Sequence, residues 1–491
     1  MKRSAAAPRV DIRADDPSLT PFAGVLLAGE LIRQTGLIER LDAAVDAVAP
    51  FKERRRGASA GELLVSLSEA MLVGGSHLAH LDLLRQDSAG AAFRAVGEPL
   101  PPSTASQLLR RLTPVQCRAA IAALAAIGNA VDAELGLDPT EPVSLDLDAT
   151  ATEVYGRQKE DAAFNYEGKR CYGSQVVTWA ERHRILDAEL LSGSASAKPS
   201  AADMLGRSLA ALPPDHGEVR LRGDSDYYFM HLLHACRHQN VRFAVSVSRS
   251  AAMWRAEESI PASAWRPARD MAGAEVAETT YTPGDWEHEP LRLLIRRVRI
   301  RAADISRSSR SRRRRTIPKI QLALGLSGAL KEVWGYSFIL TDLGGDAVDV
   351  EHWQRQRAHI EERIKDVKLD CGLHHLPLRT RRANTAWQVA TVIATNLMSL
   401  LSAIVLTSPA RTASGGLPDP DPATVKVAAD NAGERGPKYR RSATLRRWLI
   451  NVPGRLVKGG RRLRLRLQQG LWWAEEFIAA YQWIRLLRAS P

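Results

Sequence analysis

The stretch Leu145-Asp146-Leu147-Asp148-Ala149-Thr150 alternates apolar and polar residues at the period of a β-strand. Because successive side chains of a strand point to opposite faces, both of its aspartates lie on one face, and either could bind a metal ion. Asp148 is nearer the end of the strand predicted at 143–148, where open α/β sheets place their ligands. We therefore favour Asp148 as the candidate ligand and keep Asp146 as the alternative.

A second carboxylate segment follows a strand predicted at 218–223. The strand ends at Gly223, and Asp224 is the first residue beyond it. By the same rule for strand ends, Asp224 is the better candidate ligand. Asp226 is held in reserve.

A helical pattern at about 350–368 carries the third carboxylate. Its charged residues recur at the spacing of one continuous helix face, which a surface salt-bridge ladder would also use. Glu362 is rotated off the face that Arg357, Glu361, Lys365 and Lys368 form, since a helix turns by about 100° per residue. Coincidence with the two strand-end aspartates favours a functional site. The face consists of Arg357, Glu361, Lys365 and Lys368.

Three carboxylates gathered at one point could hold two divalent metal ions. Mg²⁺ prefers hard oxygen ligands, and a pair of such ions clamps the attacking and leaving oxygens of a phosphodiester. The chain has 68 Lys and Arg against 55 Asp and Glu, a formal charge of +13 and a pI near 9.8. A basic pI alone also fits an ordinary soluble surface, but with the carboxylates it favours phosphodiester chemistry on nucleic acid.

The periodicity divides the chain into a helical part, to about residue 135, and an α/β part that begins at Val143. Turn-rich material with Trp, Arg and Pro interrupts the α/β pattern at about 249–335. The predicted strands are 143–148, 172–180, 184–191, 218–223, 241–247, 291–300 and 336–341, and the predicted helices of this part are 200–212, 227–239, 350–368 and 383–406.

Two basic segments stand out. Residues 307–315 contain no apolar residue and read as a loop that is either a solvated tip or a phosphate-binding element. Near the C-terminus Arg462, Arg464 and Arg466 alternate with leucines, which predicts a strand with one cationic face. That strand is either a solvated edge or a contact to nucleic acid.

The residues between Arg382 and Arg411 include no charge and are long enough to span a membrane. Polar residues recur along this stretch, so it is predicted as a buried core helix and no membrane partner is expected. The four cysteines have no CxxC spacing, and the N-terminal residues have no apolar h-region. A cytoplasmic, nucleoid-associated protein is expected.

Together these segments resemble the DDE transposases of bacterial insertion sequences, most closely the insertion-sequence family numbered thirteen-eighty, a relative of the family numbered four. The resemblance extends through Gly372-Leu373-His374-His375-Leu376-Pro377 and covers nearly the whole chain. It implies an α/β fold: a ribonuclease-H-like catalytic core split by a β-rich insertion, with an N-terminal all-helical domain and a basic C-terminal region. The implied ranges are 1–138 (helical, DNA-binding), 139–248 (first part of the core), 249–335 (insertion), 336–408 (second part of the core), 409–437 (linker) and 438–491 (basic region).

The resemblance also implies Asp148, Asp224 and Glu361 as a triad that binds Mg²⁺, with Mn²⁺ as a substitute. Arg357 and Lys368 match the Arg and Lys that flank the Glu in relatives. The related motif has a Tyr three residues before that Arg, and this chain has Gln354 instead. Relatives stack a Trp of the insertion on a flipped base. The candidates here are Trp254, Trp265 and Trp286.

The function implied by the resemblance is cut-and-paste DNA transposition by metal-dependent hydrolysis and strand transfer. The expected partners are double-stranded DNA, both the terminal inverted repeats of the element and the target, and a second copy of the chain in a synaptic complex. The alternatives are a regulatory DNA-binding relative that does not cut, and a nuclease of the same fold without strand transfer.

Overall fold

The computed structural model describes residues 10–54, 56–165, 167–309, 311–407, 441–460, 462–471 and 473–487. The side chains of residues 359, 361–363 and 407 are outside this description. The predicted linker at 409–437 and Arg461 also lie outside the described residues.

Among the described residues of the N-terminal part, the regular elements are helices and one two-residue strand, β1 (Leu19–Thr20). Two of its helices begin at a capping box, in which Ser59 or Thr113 and the side chain three residues later exchange hydrogen bonds with the backbone. The helical prediction for this part is confirmed. The helices are α1 (Val25–Gln34), α2 (Leu37–Val48), α3 (Ala60–Leu72), α4 (Leu81–Gln86), α5 (Pro102–Leu109) and α6 (Pro114–Glu134).

The α/β part is built on one mixed sheet of ten strands. Its strands are β2 (Val143–Glu153), β3 (Ala163–Phe164), β4 (Arg170–Trp179), β5 (Arg184–Ser192), β6 (Val219–Gly223), β7 (Arg242–Val247), β8 (Arg266–Pro267), β9 (Ala274–Tyr281), β10 (Leu291–Arg301) and β11 (Glu332–Thr341). Its helices are α7 (Lys198–Ala210), α8 (Met230–His238), α9 (Ala251–Glu258), α10 (Lys319–Leu326), α11 (Ala347–Arg355), α12 (Ala358–Lys365) and α13 (Arg381–Thr407).

The parallel strands β2, β6 and β7 lie at the centre of the sheet. On one side β4 and β5 follow β2 in antiparallel pairing, and on the other side β11, β10, β9 and β8 extend the sheet from β7. The strands of the predicted insertion therefore join the same sheet as the central strands. Because parallel strands end at a common edge, loops after β6 and β7 emerge close together.

The prediction of a single helix at about 350–368 is wrong. It consists of α11 and α12, separated by a turn at Gln356 and Arg357, and a π-helical turn over Asp366–Asp370 follows α12. The N–H of Arg357 donates to the carbonyl of Gln354, three residues back, and so leaves the four-residue hydrogen-bond pattern of an α-helix. Arg357 thus precedes α12 instead of lying within a continuous helix.

The helix α13 is buried against α3, α6 and β5. Both α6 and α13 are long and apolar enough to cross a membrane, but 89% of the apolar window of α13 is buried inside the protein. This burial favours the core helix predicted from sequence. One hydrophobic core contains residues of the N-terminal helices, of α13 and of the C-terminal part, so it crosses the domain boundary predicted at residue 138.

The described C-terminal residues form α14 (Ser442–Leu445), β12 (Gly454–Gly459), β13 (Arg462–Leu467) and α15 (Ala474–Leu486). β12 pairs with both β1 and β13, which gives a second, three-stranded sheet. The strand predicted from the alternation of arginine and leucine is confirmed, and Arg462, Arg464 and Arg466 are exposed on it.

Candidate active site

Two aspartates leave neighbouring strands at the same level of the sheet. The strand β2 is longer than predicted and continues to Glu153, so Asp148 lies in its middle and not near its end. The pairing of β2 with β6 nevertheless stops at Leu147 and Gly223. Asp148 is the next residue of β2, and Asp224 is the residue that follows β6. The end of β6 therefore positions both carboxylates.

The two carboxylates meet at one guanidinium. Nη1 of Arg357 lies 3.8 Å from Oδ2 of Asp148, and Nη2 lies 3.8 Å from Oδ2 of Asp224. The other oxygen of each aspartate accepts a backbone N–H, from Ala149 at 2.8 Å and from Asp226 at 2.9 Å. These bonds fix the orientation of both side chains, so that one oxygen of each faces the same point.

Asp146, the alternative within β2, is engaged in a different contact. Its two carboxylate oxygens accept hydrogen bonds from Nε and Nη2 of Arg222 at 2.6 and 2.9 Å, and both residues are buried. Nη1 of Arg222 donates to the carbonyl of Trp353 at 2.8 Å. Asp146 therefore belongs to an internal ion pair, and Asp148 is the aspartate of β2 that lines the open cleft described next.

Asp148 and Asp224 lie in a cleft of about 1870 Å³. Its walls are strongly cationic, which is the charge expected of a surface that binds a polyanion. Among the described residues, the acidic lining residues are Asp148, Glu153, Glu167, Asp224 and Asp226, and the basic ones are Lys169, Arg249, Arg312, Arg313, Arg314, Arg315, Lys319, Arg357, Lys365 and Lys368.

The site is partly shielded from water. Burial raises the pKa of the Asp224 carboxyl above its ordinary value, and the nearby Arg357 offsets part of this effect. Burial also raises the pKa of the Tyr227 hydroxyl, and the charges of Asp148 and Asp224 add to that increase. The charges of both carboxylates thus act on the Tyr227 hydroxyl.

A divalent cation fits the donor set at this point. Both aspartates present oxygen, the donor type that Mg²⁺ prefers, and a positively charged guanidinium already lies between them. Nη1 of Arg357 is buried without a hydrogen-bond partner among the described residues. Within the described side chains no group of three His, Cys, Asp or Glu is assembled as a metal site.

Comparison with known proteins identifies the family. Residues 2–415 match the family described as transposase DDE domain group 1. The chain belongs to the DDE transposases. A structure of the piggyBac transposase in a synaptic complex with hairpin DNA is similar with a TM-score of 0.39 and 10% sequence identity, over 81% of this chain and 77% of that chain. A search of curated proteins found no match.

The third predicted ligand of the transposase, Glu361, lies in α12, and its side chain is outside the described part of the structure. The other three residues of the predicted face, Arg357, Lys365 and Lys368, line the cleft. Lys365 is exposed there, whereas Nζ of Lys368 donates to the carbonyl of Ala151 and, at 3.4 Å, to Oγ1 of Thr150. Lys368 therefore ties the π-helical turn to β2 just beyond Asp148.

Gln354, the position at which the resemblance implies a Tyr, contacts the end of β6. Its Nε2 donates to Oγ of Ser246 at 3.2 Å and to the carbonyl of Gly223 at 3.5 Å. The side chain is buried. Gln354 thus supports the backbone from which Asp224 emerges.

The three candidate tryptophans have different surroundings. Trp286 is buried and stacks on His234, with 5.2 Å between the ring centroids. Trp254 packs edge-on against Phe338, and Trp265 lies 3.9 Å from the guanidinium of Arg297. Trp254 and Trp265 are each partly exposed, and base stacking by any of the three stays a prediction.

Sequence reasoning missed the place of the basic loop. Arg312, Arg313, Arg314 and Arg315 line the same cleft as the two aspartates, although they are far from both in sequence. The run of arginines was visible in the sequence, but its position depends on how β10 and β11 join the sheet. The arginines of β13, by contrast, do not line this cleft.

Proposed function

We propose that this transposase moves a bacterial insertion sequence by cut-and-paste transposition, as expected of a relative of the insertion-sequence family numbered thirteen-eighty. The observation that carries the proposal is the meeting of Asp148 and Asp224 at Arg357 within a cationic cleft. The strand order β5-β4-β2-β6-β7, with β6 and β7 parallel to β2, supports a ribonuclease-H-like core.

In this proposal Asp148, Asp224 and Glu361 hold divalent metal ions, Mg²⁺ with Mn²⁺ as a substitute. When bound, the ions supply Lewis-acid catalysis of phosphodiester hydrolysis and of strand transfer. The protein's own residues orient the reacting groups. Arg357 balances the two carboxylate charges, and Lys365 adds positive charge for DNA phosphates.

The proposed partners are the terminal inverted repeats of the element, the target DNA and a second copy of the chain in a synaptic complex. The excess of basic over acidic residues around the cleft supports binding of a phosphate backbone. Cleavage at one end and joining to target DNA would then take place at the same carboxylates.

The proposal is tested by cleavage of DNA duplexes that carry the sequences flanking the coding gene. Asp148→Ala, Asp224→Ala and Glu361→Ala should each lower Mg²⁺-dependent cleavage by about 10²-fold or more while end binding is retained, because a bound metal contributes several kcal/mol to the transition state. The control is Asp203→Ala, since Asp203 is an exposed carboxylate of α7 that does not line the cleft. It should cleave normally.

Three outcomes would contradict the proposal or part of it. End binding without any cleavage by the unmodified chain would indicate a regulatory DNA-binding protein. Cleavage without joined target products would indicate a nuclease. Loss of cleavage in Glu362→Ala with normal cleavage in Glu361→Ala would move the third ligand by one position on α12.

A further inference from the structure

Residues 307–315 connect β10 to α10 and contain six of the seventeen Lys and Arg residues of the insertion. This arginine loop, as we call the segment, lies far in sequence from the three proposed metal ligands. Four of its residues, Arg312 to Arg315, nevertheless line the cleft that contains Asp148 and Asp224. The position of a polar, arginine-rich loop at the candidate catalytic cleft requires an explanation.

The arginine loop is anchored at both ends. Ile305 and Ile317 are buried in a small apolar cluster with Ile300 and Val333. Within the loop, Nη1 of Arg314 donates to the carbonyls of Ser306 and Arg307 at 3.3 and 2.8 Å. Arg314 therefore stabilises the shape of the loop, and the anchored ends hold its other arginines at the cleft.

Arg312 and Arg313 differ from Arg314 in their contacts. Both are exposed, and the side chain of neither makes an ion pair or hydrogen bond with another described residue. Ion pairs engage many arginines elsewhere in the insertion, for example Arg292 with Glu278 and Arg297 with Glu275. The guanidinium groups of Arg312 and Arg313 are thus available to an anionic ligand.

The arginine loop lies close enough to other charged groups of the cleft to affect their titration. Arg315 contributes to lowering the pKa of Arg249, although burial of Arg249 is the larger cause. Arg312 is near enough to Asp224 to lower the pKa of that carboxyl slightly. Like charges crowded at a cleft favour a bound polyanion, which releases counterions and relieves the repulsion.

We propose that the arginine loop is a phosphate-binding element of the cleft, in which Arg312 and Arg313 contact the backbone of the DNA strand next to the phosphodiester that is cut. The inference rests on the proposed function, and it names the part of the substrate that the loop contacts. A guanidinium fork binds phosphate oxygens bidentately and reads no base from the backbone. The loop therefore contributes to DNA affinity and to placement of the strand near Asp224, and not to recognition of the end sequence.

The test is the double variant Arg312→Gln/Arg313→Gln. Its matched control is Arg255→Gln/Lys331→Gln, which removes the same charge from exposed residues of the same insertion that lie outside the loop and do not line the cleft. Binding of a duplex containing the cleavage site is measured against salt concentration with Ca²⁺ in place of Mg²⁺. The logarithmic salt slope should fall by about 1 to 2 in the loop variant, at about 0.9 per lost phosphate contact, and should stay unchanged in the control.

The conservative double variant Arg312→Lys/Arg313→Lys keeps the charge and should restore most of the slope. A duplex of unrelated sequence should lose affinity in the Gln variant by the same factor as the end duplex. Loss of affinity for the end duplex alone would show base reading and overturn the proposal.

The closing measurement separates this inference from the proposed function. If the unmodified chain cleaves its ends while the Gln variant keeps the full salt slope and cleavage rate, the loop is a solvated tip and only the inference fails. If the Gln variant loses slope while the unmodified chain does not cleave, the loop binds DNA and only the proposed function fails. Faster cleavage by the Gln variant would show a loop that obstructs the cleft and would also overturn the inference.

Discussion

Replacement of Arg222 by Met is the perturbation whose consequence is most fully defined by the structure. Arg222 and Asp146 are 3% and 2% exposed and face each other in the parallel pairing of β2 and β6. The guanidinium also donates to the carbonyl of Trp353 and lies 5.0 Å from the centre of its ring. One buried ion pair thus joins the strands of both candidate aspartates, Asp148 and Asp224, to α11.

Removal of one partner of a buried pair leaves the other charge without compensation, which typically costs about 3 to 5 kcal/mol. Arg222→Met and Asp146→Leu should each reach this range. The double variant removes both charges and leaves mainly the carbonyl of Trp353 unsatisfied, at about 1 to 3 kcal/mol. The interaction energy of the double-mutant cycle should therefore exceed about 3 kcal/mol.

The pH dependence of Arg222→Met has a defined sign. Burial raises the pKa of Asp146, and Arg222 opposes that increase. Without Arg222 the pKa of Asp146 in the folded state rises further above its unfolded value, so the folded state holds a proton that the unfolded state releases. The free energy of unfolding of the variant, relative to that of the unmodified chain, is then highest at low pH. This relative stability is lost as the pH rises through the pKa of Asp146 in the folded variant.

The measurement is unfolding by urea of the unmodified chain, both single variants and the double variant at pH 5 and pH 8. Affinity for Mn²⁺, measured by calorimetry, reports whether the aspartates two residues further along each strand stay in place. Additive losses in the double variant would refute the reasoning, because they would show that the two side chains do not compensate each other.

Two further predictions concern other parts of the chain. Burial raises the pKa of Glu69 to about 7 from an ordinary 4.5, so the stability contributed by its proton is lost as the pH rises between these values. Glu69→Gln should therefore gain stability relative to the unmodified chain by up to about 3 kcal/mol between pH 4.5 and pH 8, as thermal or urea unfolding at both pH values will show. Arg462→Gln/Arg464→Gln/Arg466→Gln should weaken binding to all DNA sequences alike and reduce the salt slope by about 0.9 per lost contact, and an unchanged slope would leave β13 as an ordinary solvated edge.

The positions of the two aspartates could be predicted because their signals are local. Alternation of side chains fixes the face that Asp146 and Asp148 share, and Gly223 ends β6 at the residue before Asp224. The two-residue period of a strand and the residue at which a strand ends can be predicted without knowledge of distant residues. The choice of Asp148 over Asp146 does not follow from a strand end, because β2 continues to Glu153. It follows from the buried ion pair of Asp146 and from the position of Asp148 in the cleft, which only the structure shows.

The parts that could not be predicted depend on pairing between distant segments. Residues 149–153 continue β2 because they pair with residues 171–175 of β4, although their small and polar side chains do not favour a strand strongly. The arginine loop reaches the cleft because β11 pairs with both β7 and β10. Neither pairing has a signature within a short window of sequence.

The register of β2 connects the buried ion pair to the candidate active-site residues. Ser144, Asp146 and Asp148 lie on one face of β2, at steps of two residues or about 6.7 Å. Oγ of Ser144 accepts a hydrogen bond from the indole of Trp353 at 3.0 Å, and Asp148 lies beside Arg357. A one-residue slip of β2 would turn this whole face away and leave the charge of Asp146 buried without its partner. The internal pair, which has no catalytic chemistry of its own, therefore enforces the one register in which the two aspartates and Arg357 meet.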